Sequence, residues 1–231
     1  MPSEAFEYVV VSKYQETYTT STLYLSRPDG SIPPYLPGQY LTVYFSDLSP
    51  TLGKLYSISS APSEGKLALT VKVVGRFSKR LASLDRGDRL VASRPHGSFV
   101  RRDTRPAILI GGGMGITPLR SIATEASFRG GEGVALFYSA KFSGDMPFGS
   151  ELYELSKRSR LLLEQFVTKE SAPANGVKAR RMRFDDVIAA LTSLPDAEFL
   201  VSGSLSFALA QRSALVGAGI PRSDILTEIY F

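Results

Sequence analysis

Four glycines fall within five positions, at Gly111, Gly112, Gly113 and Gly115, between an apolar run and an amphipathic one. Ile108, Leu109 and Ile110 read as a short buried strand, and Pro118 suits the first turn of a helix. Over Ala107–Ile122 the order is therefore strand, tight turn, helix start. Such a turn lets backbone approach a ligand closely and presents free N–H groups at a helix N-terminus to phosphate. A strand–helix corner that merely needs glycine is the plain alternative, but a corner needs fewer glycines than this. The fingerprint G-x-G-x-x-G is not met, because after Gly111 and Gly113 its third glycine position is Ile116. No Gly-Lys-Ser/Thr follows, so the P-loop is not met either. The stretch predicts a dinucleotide-type turn of another pattern.

On either side of it the chain has a different character. Phe6, Tyr8 and Val10 alternate with their neighbours, as do Thr20, Thr22, Tyr24 and Ser26 with Ser21, Leu23 and Leu25. Tyr40–Phe45, Leu55–Ser60, Leu67–Val74 and Arg89–Ser93 continue a series of short strands. Turn residues separate them, among them Pro28-Asp29-Gly30, Ser49-Pro50 and Arg86-Gly87-Asp88. This predicts a small antiparallel barrel, interrupted by one short helix that Ser78 caps, running through Lys79–Leu84. After the arginine-rich linker Val100–Arg105 the pattern alternates. Strands at Ala107–Ile110, Val134–Tyr138, Leu162–Thr168 and Glu198–Val201 precede helices at Pro118–Phe128, Ser150–Arg158, Asp185–Leu194 and Leu205–Val216. Lys169–Arg183 reads as a loop, and Asp224–Tyr230 closes the chain. Alternating β and α implies a parallel sheet with helices on both faces. The expected organisation is two domains, residues 1–102 and 103–231, a division that 231 residues can support.

Composition excludes several chemistries. There is no cysteine, hence no disulfide, no thiolate nucleophile and no Cys-ligated iron–sulfur cluster in this chain. The single histidine, His96, makes a zinc site built on His or Cys improbable and reads as structural. No run approaches the roughly 20 apolar residues of a membrane span, and the N-terminus lacks the features of a signal peptide. A cytoplasmic protein is expected. The net charge of +5 is modest and scattered, and no nucleic-acid-binding motif accompanies it. Arg101, Arg102 and Arg105 read either as a dock for an acidic electron carrier or as solubilising residues of the linker.

Several short motifs stand in a telling order: Lys54-Leu55-Tyr56-Ser57, Val71-Lys72-Val73, Gly75-Arg76-Phe77-Ser78, Pro95-His96-Gly97-Ser98-Phe99, the glycine turn, Ser202-Gly203, and Glu228-Ile229-Tyr230. Singly each is weak. In this order, across nearly the whole chain, they resemble the ferredoxin–NADP reductase family. The resemblance implies FAD against Tyr56 and Ser57, with Leu55, Val71, Lys72, Val73 and Phe77 lining its site. Lys54, Gly75 and Ser78 would then be near the FAD phosphates. Lys54 stands where arginine is usual, which keeps the charge but loses the bidentate fork. Gly112, Gly113, Met114 and Thr117 would hold the NAD(P) pyrophosphate. Ser202 and Gly203 match a Cys-Gly pair beside the nicotinamide, with serine replacing cysteine. Tyr230 or the adjacent Phe231 would cover the flavin face, and Ser57, Ser202 and Glu228 would surround the reacting atoms.

The resemblance also implies the reaction: an FAD-dependent NAD(P)H oxidoreductase that passes electrons to a separate carrier, a ferredoxin, a flavodoxin or an oxygenase component. Thr168, Lys169, Lys178 and Arg180 match positions that hold the adenosine end and its 2′-phosphate, which favours NADP over NAD. A solvated basic loop is the plain reading of Lys178, Arg180, Arg181 and Arg183. Two alternatives stay open: an NAD(P)H:flavin reductase that releases reduced flavin, and a non-catalytic nucleotide-binding subunit.

Overall fold

In the computed structural model, which describes residues 5–48, 52–102, 105–130, 133–173 and 176–230, the alternating stretches become strands. The turn signal Ser49-Pro50 lies outside the described residues. Strands β1 (Ala5–Thr17) and β2 (Thr20–Ser26) pair antiparallel. With β3 (Tyr40–Tyr44), β4 (Lys54–Ser57), β5 (Leu67–Lys72) and β6 (Arg89–Ser93) they form one antiparallel sheet of order β4-β3-β6-β1-β2-β5. An isolated bridge between Ile58 and Leu69 joins the two ends of that order and closes the sheet into a barrel. Tyr8, Val10, Leu23, Leu41, Val43 and Leu69 fill its interior. The outer face at β2 and β5 is covered too: Thr22 is 1% exposed and Thr70 4%.

Helix α1 (Arg76–Ala82) follows β5 and corrects one expectation. Gly75, not Ser78, is its N-cap. Ser78 sits within the first turn, where its Oγ accepts hydrogen bonds from the N–H groups of Val74 at 2.9 Å and Gly75 at 3.0 Å. A serine reaching back along the chain satisfies donors that the helix itself cannot.

The second half is a parallel sheet. Its strands are β7 (Ala107–Gly112), β8 (Val134–Ala140), β9 (Leu161–Val167), β10 (Val177–Lys178), β11 (Glu198–Ser204) and β12 (Ile225–Tyr230), in the order β10-β9-β8-β7-β11-β12. The helices are α2 (Ile116–Phe128), α3 (Gly149–Arg158), α4 (Phe184–Ala189) and α5 (Leu205–Gly217). Alternate residues of each strand serve opposite faces. Leu109, Leu136 and Leu200 pack with α2 and α3, while Ile108, Ile110, Phe199 and Val201 pack with α4 and α5. Two expectations shift. The loop Lys169–Arg183 contains the two-residue strand β10, and the helix expected over Asp185–Leu194 ends at Ala189 and continues as a 3-10 turn over Ala190–Thr192. The chain leaves β7 toward β8 and returns on the other side to β11. The C-terminal ends of β7 and β11 therefore flank the switch point, where open α/β sheets bind ligands.

The linker arginines are structural. Arg105 donates to Asp224 at 2.9 Å and to the Asp196 carbonyl. The Arg102 N–H donates to Glu198, a fully buried carboxylate, at 2.6 Å. Asp103 and Thr104 of the same linker lie outside the described residues.

Barrel and parallel sheet are joined chiefly through α2. Arg120, 6% exposed, donates to the Ser59 carbonyl at 2.8 Å, to both Glu64 oxygens at 2.6 and 2.9 Å, and to Glu151 at 2.5 Å. Next to it the Ser121 hydroxyl donates to the Ser60 carbonyl, and Glu125 accepts from the Ser63 N–H. Burial would raise the Glu64 carboxyl, but its bonds to Arg120 hold it below the usual range. Replacing Arg120→Met strands that carboxylate and should cost about 3–5 kcal/mol in urea unfolding near neutral pH. Because the folded Glu64 carboxyl is depressed, the pair stabilises above the unfolded carboxyl range and is lost in acid. The difference between variant and wild type should therefore shrink as pH falls below about 4.

Candidate functional site

Close packing explains the glycine turn. Gly113 has φ +56°, the left-handed region. A Cβ on Gly115 would lie 2.1 Å from the Ser202 carbonyl oxygen, so the turn presses directly on the end of β11. Gly112 and Gly203 both pack on the ring of Phe207. Helix α2 starts immediately after the turn with no side-chain cap. Above these strand ends opens a cleft of about 750 Å³. Its wall runs from Gly112–Gly115 past Ser139, Lys141 and Thr168 to Arg181, and returns along Ser204, Ser206 and Phe207 to Tyr230.

A second cleft, about 480 Å³, lies on the outside of the barrel. Lys54, Leu55 and Tyr56 of β4, Thr70 and Lys72 of β5, and Val74–Ser78 line it. Tyr56 and Phe77 are stacked with centroids 6.3 Å apart, and burial pushes the Tyr56 hydroxyl up to about 12. Lys54, Lys72 and Arg76 add positive charge. Val71 does not reach this cleft: it is 1% exposed and points into the barrel core. Val73 is 41% exposed and is not part of the wall either. An aromatic wall, a glycine turn and three cations suit a large planar ring carrying phosphates.

The clefts meet. Met114 and Tyr230 line both of them. At the junction the Ser57 hydroxyl donates to Glu228 at 2.5 Å, and its oxygen lies 2.6 Å from that of Tyr230. The Tyr230 hydroxyl is also 3.0 Å from Thr117 Oγ1, and Thr117 donates to the Met114 carbonyl. Burial raises both the Glu228 carboxyl and the Tyr230 hydroxyl; the Glu228 charge adds to the rise at Tyr230. Ser202 pairs in register with Glu228 on one side and Gly111 on the other. Its hydroxyl is buried and has no partner among the described residues. Phe231, the other expected covering ring, lies outside the described residues.

Not all the expected adenosine-end residues converge. Thr168 lines the large cleft, and Lys169 follows it without joining the wall. Lys178 pairs with Glu164 and lies over the Phe166 ring. Arg180 grips both oxygens of Asp186 at 2.6 Å, over the same ring, and holds the Asp186 carboxyl down to about 2. Neither side chain reaches the wall. The cations that do are Lys141 and Arg181. Lys141 is the first residue after β8, a position that the strand-end rule for α/β sheets singles out. Phe207, against the two glycines, carried no local signal.

His96 is exposed and lines neither cleft; its ring lies 4.3 Å from that of Tyr40, and Nε2 is 3.1 Å from Thr42 Oγ1.

Comparison with known proteins follows the same division. A family model for an oxidoreductase FAD-binding domain matches residues 9–100, and one for an oxidoreductase NAD-binding domain matches residues 109–213. The chain is 31% identical over 240 residues to a flavohemoprotein of Chromobacterium violaceum, spanning 96% of this chain but 59% of that protein. It is 30% identical over 241 residues to the ferredoxin reductase component of a 3-ketosteroid-9-alpha-monooxygenase of Mycobacterium tuberculosis, with 97% and 65% covered. Among solved structures, the FAD/NAD binding domain of nitric oxide dioxygenase from Vibrio cholerae matches with a TM-score of 0.86 at 24% identity, covering 97% of this chain and 98% of that one. A ferredoxin NADP+ reductase from Neisseria gonorrhoeae, with bound FAD and NADP, matches with a TM-score of 0.82 at 20% identity, covering 99% and 100%. At such identities the likeness is one of fold. No helix among the described residues is long and apolar enough to cross a membrane.

The junction carries a pH signature. The Glu228 carboxyl is raised in the folded chain, so folding favours its protonated form. That contribution is complete below the unfolded carboxyl range and is lost as pH rises through the folded value. Glu228→Gln removes the dependence. Thermal unfolding should show the variant gaining on wild type from about pH 4 upward and no gain in stronger acid.

Proposed function

Because this chain belongs to the ferredoxin–NADP reductase-like family of FAD- and NAD(P)-binding oxidoreductases, we propose that hydride passes between a nicotinamide in the large cleft and FAD in the barrel cleft. Electrons then leave singly to a separate carrier. The observation that carries this reading is the shared wall: both clefts end at Met114 and Tyr230, with Ser57, Thr117 and Glu228 hydrogen-bonded between them. Bound there, FAD would supply the chemistry of accepting a hydride and releasing electrons one at a time. The protein supplies orientation and exclusion of water.

On this reading Tyr56 and Phe77 hold the ring, Lys54, Lys72 and Arg76 neutralise phosphate, and Gly75 with Ser78 shapes the turn beneath it. Gly112, Gly113 and Met114 hold the dinucleotide pyrophosphate at the start of α2. Ser57, Ser202 and Glu228 lie around the reacting atoms, and the Tyr230 ring covers the face that nicotinamide must reach. The division of labour falls between residues 102 and 103. The walled barrel cleft supports retained FAD over a reductase that releases its flavin. The carrier is proposed as a ferredoxin, a flavodoxin or an oxygenase component. The Mycobacterium tuberculosis relative, named as a reductase component of a monooxygenase, supports that class.

NADP remains the favoured dinucleotide. Lys141 and Arg181, beside Thr168, are the cations placed to meet a 2′-phosphate. Lys178 and Arg180 are engaged by carboxylates and have a structural role.

Denaturing release should yield FAD, and anaerobic NADPH should bleach the bound flavin. Lys141→Ala and Arg181→Ala should each raise KM for NADPH roughly 10–150-fold, the equivalent of about 1.5–3 kcal/mol for a charge-assisted bond, and leave NADH nearly unchanged. Lys178→Ala should change neither. Absence of flavin after incubation with excess FAD would overturn the oxidoreductase reading, and a wild-type preference for NADH would overturn the 2′-phosphate site.

A further inference from the structure

On the outer face of the barrel, three buried hydroxyls form a line that the function above leaves unused. Thr22 and Thr70 face each other across β2 and β5, with their oxygens 2.8 Å apart. Thr70 Oγ1 lies 2.8 Å from Ser59 Oγ, which lies 3.3 Å from the Ala68 carbonyl oxygen. At the other end Thr22 Oγ1 is 2.7 Å from Glu16 Oε1. The three hydroxyl residues are almost completely buried, whereas Glu16 is half-buried. Thr70 also lines the barrel cleft. The line thus connects the cleft to a carboxyl that water can reach.

Counting protons shows which form of Glu16 the line prefers. Four contacts link Glu16, Thr22, Thr70, Ser59 and the Ala68 carbonyl in sequence. Each hydroxyl has one proton to donate. With Glu16 ionised, three protons serve four contacts, and the unfilled one falls between Ser59 Oγ and the Ala68 carbonyl, which already accepts the Ser59 N–H at 2.9 Å. With Glu16 protonated, every oxygen donates to the next and all four contacts are filled. The ionised line therefore loses only its longest contact, while the filled chain of the protonated form is mutually reinforcing.

The surroundings act in the same sense. Burial pushes the Glu16 carboxyl up; the Thr22 hydrogen bond opposes this, Glu151 of α3 adds to it, and Arg120 of α2 and the Phe148 N–H oppose it. The hydroxyls of Tyr24 on β2 and Tyr138 on β8 also lie within reach of its charge.

We propose that Glu16, Thr22 and Thr70 form a proton relay that delivers a proton from the protein edge to the flavin cleft, a role that rests on the flavin reading above. The Glu16 O–H bond breaks as Thr22 takes the proton. Thr22 passes its own proton to Thr70, and Thr70 turns its own from Ser59 into the cleft. One proton leaves Glu16, one arrives in the cleft, and no electrons travel along the line. The arriving proton neutralises negative charge that hydride transfer leaves in the cleft, and solvent reprotonates Glu16.

The test uses FAD-loaded wild type, Glu16→Gln, Thr22→Val and Thr22→Ser. Gln keeps a donor to Thr22 but has no acidic proton; Val keeps the shape of threonine without its hydroxyl. Bleaching of the wild type by NADPH is established first, and its absence would count against the flavin reading alone. Infrared spectra near neutral pH should show a protonated-carboxyl band that Glu16→Gln abolishes and Thr22→Val shifts. Glu16→Gln and Thr22→Val should slow bleaching about 10²-fold, the lower end for a positioned proton donor, and Thr22→Ser should restore the rate. In wild type a pH indicator should report solvent proton uptake lagging behind bleaching. A folded Glu16→Gln or Thr22→Val protein that bleaches at the wild-type rate overturns the relay. So does a wild-type spectrum in which Glu16 is ionised throughout the neutral range.

Discussion

A guanidinium almost out of reach of water sets the angle between barrel and parallel sheet. Arg120 has two carboxylate partners, Glu64 from the barrel and Glu151 from α3. Burying such a charge brings little net stability, because desolvation offsets attraction; misplacing its partners is what costs dearly. The network therefore acts on geometry more than on total free energy. Ser57 and Glu228 stand 171 residues apart in the chain and meet at 2.5 Å. Contacts of that kind across a domain boundary exist only if both sheets are held to a fraction of an ångström, which is also the tolerance that oriented transfer between two bound groups demands.

Local regularities carried much of the architecture into view from sequence. Period-two alternation marked the barrel strands, and the glycine run marked the switch point because no other residue type allows β11 to lie so near the turn. The order of weak motifs marked the two clefts. What escaped was set by partners that folding brings into contact from other elements. Lys178 and Arg180 look like free cations in a basic loop, yet Glu164 on the adjacent strand and Asp186 in α4 claim them. The linker arginines look solvated, yet Glu198 and Asp224 hold them.

Thr22 and Thr70 illustrate a different failure of pattern reading. Alternation assigns them to the outside of the barrel, and they are on the outside. Outside here means the covered face and cleft wall, so a polar position becomes a buried one without any change in its local sequence. Ser78 shows the same limit at short range: its type announces a helix start, but only backbone geometry decides that it serves from inside the first turn. Val71 belongs to the interior by the same strand alternation that sets Thr70 and Lys72 on the cleft side.

Tyr230 gives the two clefts a common wall one side chain thick. A common wall makes the occupants thermodynamically linked. If a dinucleotide gains room by moving that ring, the free energy of the movement enters the flavin's own equilibrium. Linkage is reciprocal: whatever factor flavin occupancy applies to dinucleotide affinity, dinucleotide applies to flavin retention. With flavin in one cleft and dinucleotide in the other, as proposed, affinity for either cofactor would be a property of the pair, and the concentration of one a variable in the dissociation constant of the other.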